Sequence, residues 1–441
     1  MRLLISLIFL FAAALAAAPA AAQGLIRDAE IERTMKLVMR PIMRAAGVGG
    51  RRVEIFIIND RRMNAFVAGG SNIFVNTGLI ARMQTKEMLQ AVLAHELAHI
   101  TQGHQAQRAA QVASARSAAG LGLLVGLAAA AAGGGPGVAA GLQESVLRTL
   151  FSFSRAQESA ADAAAVRYLN AAGISPKAML DVLKVFRGQE VLSVGRQSPY
   201  VRTHPLTNNR IIRMQAEAAR YKGGDRKDTT TDYWYARMDA KFVGFLGNPS
   251  RVLRQLKRSD NGEIATLTRA VAYHRLPKPK QARKYIDRLV SMRPNDAYYH
   301  ELRGQILLES GDARGALNSY RRAARLAPKE PLILAGLGQA MLAKGSGGSV
   351  KEALSVLRKA YARDPRDPRM LRSLAVAYAK TGQPGQASVV TAERYALQGN
   401  FKQAKIHAER AQRLLPRGTT GWLKADDILA VANKLLSRKK R

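Results

Sequence analysis

The sequence predicts a mostly α-helical protein: an α+β N-terminal domain with a small β-sheet, then an all-α solenoid of stacked helix pairs. Three observations predict it. Two histidines and a glutamate lie in a largely apolar helical pattern at 86–107. Short alternating runs flank Gly69-Gly70. One helix-pair pattern recurs after residue 222. The length of 441 residues favours two domains. A hydrophobic fraction of 47% excludes wholesale disorder.

Composition narrows the chemistry. With no cysteine, a disulfide scaffold, a thiol nucleophile and a cysteine-ligated metal are excluded. Any metal site must use histidines and carboxylates. There are 69 Lys+Arg against 32 Asp+Glu, a formal net charge of +37. Such a charge attracts polyanions, whether nucleic acid, anionic lipid headgroups or acidic protein. A GC-rich genome also enriches Arg and Ala with no binding role.

Residues 1–22 read as a signal peptide. Met1-Arg2 is a short positive start, 3–17 is apolar but too short for a comfortable membrane span, and Ala20-Ala21-Ala22 offers small residues for cleavage. The expectation is export to the periplasm, with membrane association open to it. Export favours envelope proteins and an anionic membrane surface as partners and argues against nucleic acid.

Next comes the predicted catalytic domain, 23–222. Residues 64–68 and 72–75 read as strand, turn, strand about Gly69-Gly70. In the helix at 86–107, His95 and His99 are four apart and share a face, so both imidazoles can reach one metal ion. Glu96 sits beside them as a candidate general base. Two histidines with an adjacent glutamate form the zinc-protease pattern. Such a metal needs a third protein ligand. Glu158 is the candidate, with Glu144 as rival. Asp162 lies four residues beyond Glu158 and could orient a ligand histidine through its other ring nitrogen. Between the two segments, 117–143 is uncharged and rich in Ala and Gly. It reads as a helical hairpin packed on the protein or resting at a membrane surface. His104 is expected at the surface, and no chemistry is assigned to His274, His300 or His407.

The polar stretch 222–229 reads as a linker. Within 223–441, Ala282, Ile286, Leu289 and Pro294 set a pattern. It returns as Ala316, Tyr320, Ala323, Pro328, then Ala353, Leu357, Ala360, Pro365, then Ala404, Ala408, Ala411, Pro416. Gly304 and Gly338 stand where neighbouring helices must approach closely. This resembles the tetratricopeptide repeat, in which each helix pair buries its apolar face against the next.

The motifs His95-Glu96-Leu97-Ala98-His99, Glu158-Ser159-Ala160-Ala161-Asp162 and His204-Pro205-Leu206-Thr207-Asn208-Asn209-Arg210 together resemble the gluzincin family of HtpX-like and CAAX prenyl proteases. Within it the chain is most similar to the exported, repeat-bearing BepA-like branch. The resemblance implies one Zn2+ per chain held by His95, His99 and Glu158, with Glu96 as base. It implies that Asn64, Ala65 and Phe66 lie in the edge strand that takes substrate. It also gives His204 and Arg210 a catalytic role. Either could stabilise the tetrahedral oxyanion, or His204 could fill the open metal position and hold the enzyme latent. The implied function is a zinc endopeptidase of envelope quality control. Its implied partners are unfolded or misassembled outer-membrane proteins and the barrel-assembly machinery. The alternative is a chaperone or assembly factor with a mostly latent protease.

Overall fold

The computed structural model describes residues 24–49, 53–107, 153–189, 191–192, 196–224, 226–257, 259–345 and 347–438. The signal segment 1–22, the Ala/Gly-rich 117–143 and Glu144 lie outside them. The chain is mostly helical. Its one sheet in the described residues has the order β1-β2-β4-β3, formed by β1 (Leu25–Ile26), β2 (Glu54–Ile58), β3 (Ala65–Ala68) and β4 (Asn72–Asn76). β2 and β4 run parallel, with Ile55 opposite Ile73, while β1 and β3 pair antiparallel to their neighbours. β3 is therefore an edge. The turn back into β4 uses Gly69 and Gly70 at φ 61° and 85°, a left-handed backbone that side chains disfavour.

Helices close one face of this sheet. Asp28 caps α1 (Ala29–Ala45) by accepting from Ile31 N at 3.0 Å. α1 buries Met35, Val38, Met39 and Ile42 with Ile57, Val67, Ile73 and Val75 of the strands. After the short α2 (Thr77–Ile80), Thr85 caps α3 (Lys86–Thr101). α3 ends earlier than the pattern over 86–107 predicts, because Gly103 takes φ 69° and reverses the chain. α4 (Arg155–Ala172) starts with a capping box, the Ser154 side chain accepting from Gln157 N and Gln157 returning the bond. α5 (Lys177–Phe186), α6 (Pro199–Thr203) and α7 (Asn208–Arg220) complete the first region. Among the described residues no helix is long and apolar enough to cross a membrane.

α8 (Thr229–Leu246) and α9 (Pro249–Gln255) lead into the stacked pairs α10 (Glu263–Arg275) to α19 (Thr420–Arg438). These include α12 (Ala297–Glu309), α13 (Ala313–Leu326), α14 (Pro331–Lys344), α15 (Gly347–Arg363) and α16 (Pro368–Lys380). The repeat alanines 282, 316, 353, 404, 408 and 411 are fully buried. A Cβ on Gly304 would stand 2.7 Å from the Tyr320 ring, and one on Gly338 would stand 2.5 Å from Leu357, so both helix crossings require glycine.

Contacts cross the polar linker. Met238 and Phe242 of α8 belong to the same core as α1 and α3. Arg237 is fully buried between Glu30 (2.5 Å) and Asp296 (2.5 Å), and Lys241 reaches Asp28 at 2.6 Å. Farther along, Arg27 pairs with Asp364, and Arg366 with Glu54 of β2. The sequence suggests that a chain cut after Lys222 would fold alone. These contacts give the opposite expectation: the cut strips apolar cover from the core and strands Glu30 without a partner, at about 3–5 kcal/mol for the charge alone. The 24–222 fragment is expected to aggregate on size exclusion, and a fragment ending at Leu246 to behave better. A monomeric, cooperatively melting 24–222 fragment would refute this.

Candidate metal centre

α3 is buried on every side at its centre, which is why its pattern reads as apolar all round. His95, Glu96 and His99 are at most 1% exposed. α4 crosses it and brings Glu158, also 1% exposed. The segment between α6 and α7 brings His204, 2% exposed. Donor atoms of His95, His99, Glu158 and His204 all lie within 4.8 Å of one another. His95 Nε2 is 3.1 Å from His99 Nε2 and 3.3 Å from His204 Nδ1. Glu158 Oε1 is 3.4 Å from His99 Nε2 and 3.0 Å from His204 Nδ1, and Oε2 is 3.5 Å from His95 Nε2. Bonds of about 2.0–2.1 Å to a tetrahedral ion separate its donors by about 3.3–3.4 Å. Three imidazole nitrogens and a carboxylate oxygen at this spacing fit a zinc-type ion. Glu96 makes the same point: neither of its buried oxygens has a hydrogen-bond partner, and His204 Nε2 stands 3.5 Å away. A buried glutamate without a partner is costly unless it serves a site.

The surrounding groups set the charges. Burial would raise the Glu158 carboxyl, but His204, Arg210 and His95 outweigh it and hold it well below the usual range. Burial keeps His99 well below its ordinary value, so its ring is a neutral donor. Burial opposes the protonation of His95, yet Glu158 and Asp162 push it up to about 10. A metal ion would take the place of that proton. Burial, only partly offset by His204 and His95, pushes Glu96 up, as suits a group that must accept and return a proton.

Asp162 Oδ1 lies 3.0 Å from His95 Nδ1, the ring nitrogen facing away from the cluster. Arg210 holds both carboxylates. Its Nε and Nη2 donate to Asp162 at 2.7 and 2.8 Å, Nη1 lies 2.7 Å from Glu158 Oε2, and Nη1 also donates to Pro205 O at 3.0 Å. Its fork is thus engaged by Asp162, Glu158 and the Pro205 carbonyl. Asn64, Ala65 and Phe66 fall at the start of the edge strand β3, which packs against α3.

His104 corrects the sequence reading. It is 5% exposed, and its Nδ1 lies 3.0 Å from His99 Nδ1. The left-handed turn at Gly103 folds it back beneath the helix it follows. The Gly-His pair just past the helix end was the available signal. A metal ion on His99 Nε2 would leave the hydrogen on Nδ1, which would then donate to His104 and so fix the ring and its tautomer. His104→Ala is expected to weaken metal binding about 10–100-fold in a competitive chelator titration. His104→Asn, whose amide oxygen can stand where Nδ1 does, is expected to restore most of it. Unchanged affinity in the alanine variant would refute the role.

A two-histidine helix crossed by a carboxylate-bearing helix, beneath a small sheet and joined to a helical solenoid, defines a metallopeptidase with a repeat domain. Sequence comparison gives the family: residues 26–218 match Peptidase family M48, and 267–331, 301–349 and 337–388 match a tetratricopeptide repeat. Residues 26–218 are thus similar to peptidase family M48, with matches to tetratricopeptide repeats C-terminal to them. The chain is 27% identical over 360 residues to a beta-barrel assembly-enhancing protease of Escherichia coli (strain K12), covering 80% of this chain and 72% of that one. It is 26% identical over 367 residues to the protein of that name from Yersinia pestis, covering 80% and 73%. It is also 28% identical over 183 residues to a mitochondrial metalloendopeptidase of Schizosaccharomyces pombe, covering 40% and 50%.

Proposed function

We propose that this chain is an exported zinc endopeptidase of envelope quality control, acting on unfolded or misassembled β-barrel proteins and held latent by His204. The observation that carries the reading is the closed set of four buried donors at tetrahedral spacing with Glu96 beside it. Structural metal sites are closed, whereas catalytic ones keep a position for water. Here His204 takes that position, so His95, His99 and Glu158 are the permanent ligands and His204 is the removable one. The names of the relatives support β-barrel proteins as clients and the barrel-assembly machinery as a partner. The basic surface favours an anionic membrane nearby.

When bound, zinc would polarise the scissile carbonyl and acidify a water. The chain's own residues do the rest. Glu96 takes the proton of the attacking water on a carboxylate oxygen and passes it to the leaving amine. Asp162 and Arg210 keep His95 and Glu158 in place. The edge strand from Asn64 to Phe66 holds substrate as an added strand, through main-chain bonds that ask little of its sequence. Metal analysis of the purified chain, with proteolysis of casein and of an unfolded barrel protein, tests the reading. About one zinc per chain and chelator-sensitive cleavage are expected; no bound zinc would overturn it.

The closed donor set also favours a second reading, an assembly factor whose protease is seldom open. The two part on Glu96→Gln in cells. If that variant keeps the full cellular role, the chaperone reading stands.

A further inference from the structure

A groove of about 540 Å³ runs along the solenoid where β1 and α8 lie over helices α12, α14 and α16. Neighbouring packed helix axes are about 8–10 Å apart, so three helices span roughly 20 Å. That is the length of about six extended residues at about 3.3 Å each. Leu308, Ala335, Gly336 and Met370 are among the apolar residues that line it.

The charges in this groove are matched, with one exception. Lys241 serves Asp28 at 2.6 Å and Glu30 at 3.3 Å. Arg27 pairs with Glu32 and Asp364, Arg366 with Glu54, and Glu309 with His274 at 2.9 Å. Arg369 at the rim donates to Arg27 O and stands 3.8 Å from Asp367. Among the described residues, Glu301 is the lining charge without an ion pair, and its Oε2 is buried with no hydrogen-bond partner. Burial, only partly offset by Lys241, pushes its carboxyl up. Leaving such a group unpaired is unfavourable, and an incoming cation would relieve it. This runs against the overall charge, since a chain of net +37 would be expected to select acidic guests.

We propose that the groove binds an extended polypeptide segment and selects it by one lysine or arginine side chain seated on Glu301. The inference rests on the proposed reading of unfolded β-barrel proteins as clients, and assigns the solenoid a part in holding them. It does not need the metal centre to work.

Its test therefore reads binding alone. The full chain carrying Glu96→Gln, so that nothing is cut, is titrated with fluorescein-labelled heptapeptides of alternating Leu and Ser. The central residue is Lys, norleucine or Glu. The Lys peptide is expected to bind about tenfold or more tighter than the norleucine peptide, the scale of one charge-assisted hydrogen bond. Adding Glu301→Gln should erase that preference while leaving norleucine binding in place. Gln305→Lys, which sets a cation one turn along α12, should erase it as well without removing Glu301. Equal binding of Lys and norleucine peptides to the Glu301 form, tightest binding of the Glu peptide, or a Lys preference that survives both substitutions would overturn the proposal. A wild-type chain with no bound zinc and no chelator-sensitive cleavage, but with the Lys preference intact, would overturn only the enzymatic reading.

Discussion

Glu96→Gln is expected to lower peptide cleavage about 10²–10⁴-fold while zinc content and melting temperature stay near the wild-type values. The amide matches the carboxylate in size, so the packing around this fully buried residue is kept. It cannot accept a proton. The two Glu96 oxygens make no hydrogen bond that the fold depends on, so the substitution removes chemistry without removing a structural contact. The direction of the Glu96 shift agrees: a carboxyl pushed up by burial is a stronger base than an exposed one. The measurements are turnover of a quenched peptide, metal analysis and a thermal melt on the same preparation. Turnover near the wild-type level would refute the base role, and loss of zinc would mean that Glu96 is itself a ligand.

His204→Ala is expected to act in the opposite direction, raising basal proteolysis by about tenfold or more. Closed states of this kind leave the open form at about 0.1–10% of the population, so releasing the block recovers the remainder. His204 Nδ1 lies 3.3 Å from His95 Nε2 and 3.0 Å from Glu158 Oε1, within the donor set, while His95, His99 and Glu158 remain to hold the ion. In the wild type, a client that stabilises the open segment between α6 and α7 would do the same work, to the extent that it binds that state better. If His204 instead stabilises an oxyanion, its loss lowers turnover with zinc still bound. Lower basal activity in the purified variant therefore ends the latency reading.

Much of this was legible in the linear chain because it depends on local periodicity. Four-residue spacing puts His95 and His99 on one helix face, and Glu158 and Asp162 on another, whatever the rest of the fold does. The repeat alanines and Gly304 and Gly338 mark helix crossings that each recur in a neighbour. Gly69-Gly70 marks a turn by its backbone alone. By itself, then, the sequence determined a metallopeptidase helix, a crossing carboxylate helix, a hairpin and a repeat solenoid.

The tertiary structure decided what lies between distant segments. It brought His204 into the donor set across 109 residues of chain, and spent the fork of Arg210 on Asp162 and Glu158. It drew His104 inward through one left-handed glycine, and sealed Arg237 and Lys241 against Glu30 across the expected linker. Each outcome turns on which buried charge finds which partner. Burial makes an unpaired charge so costly that the pairing is decided by the whole packed assembly.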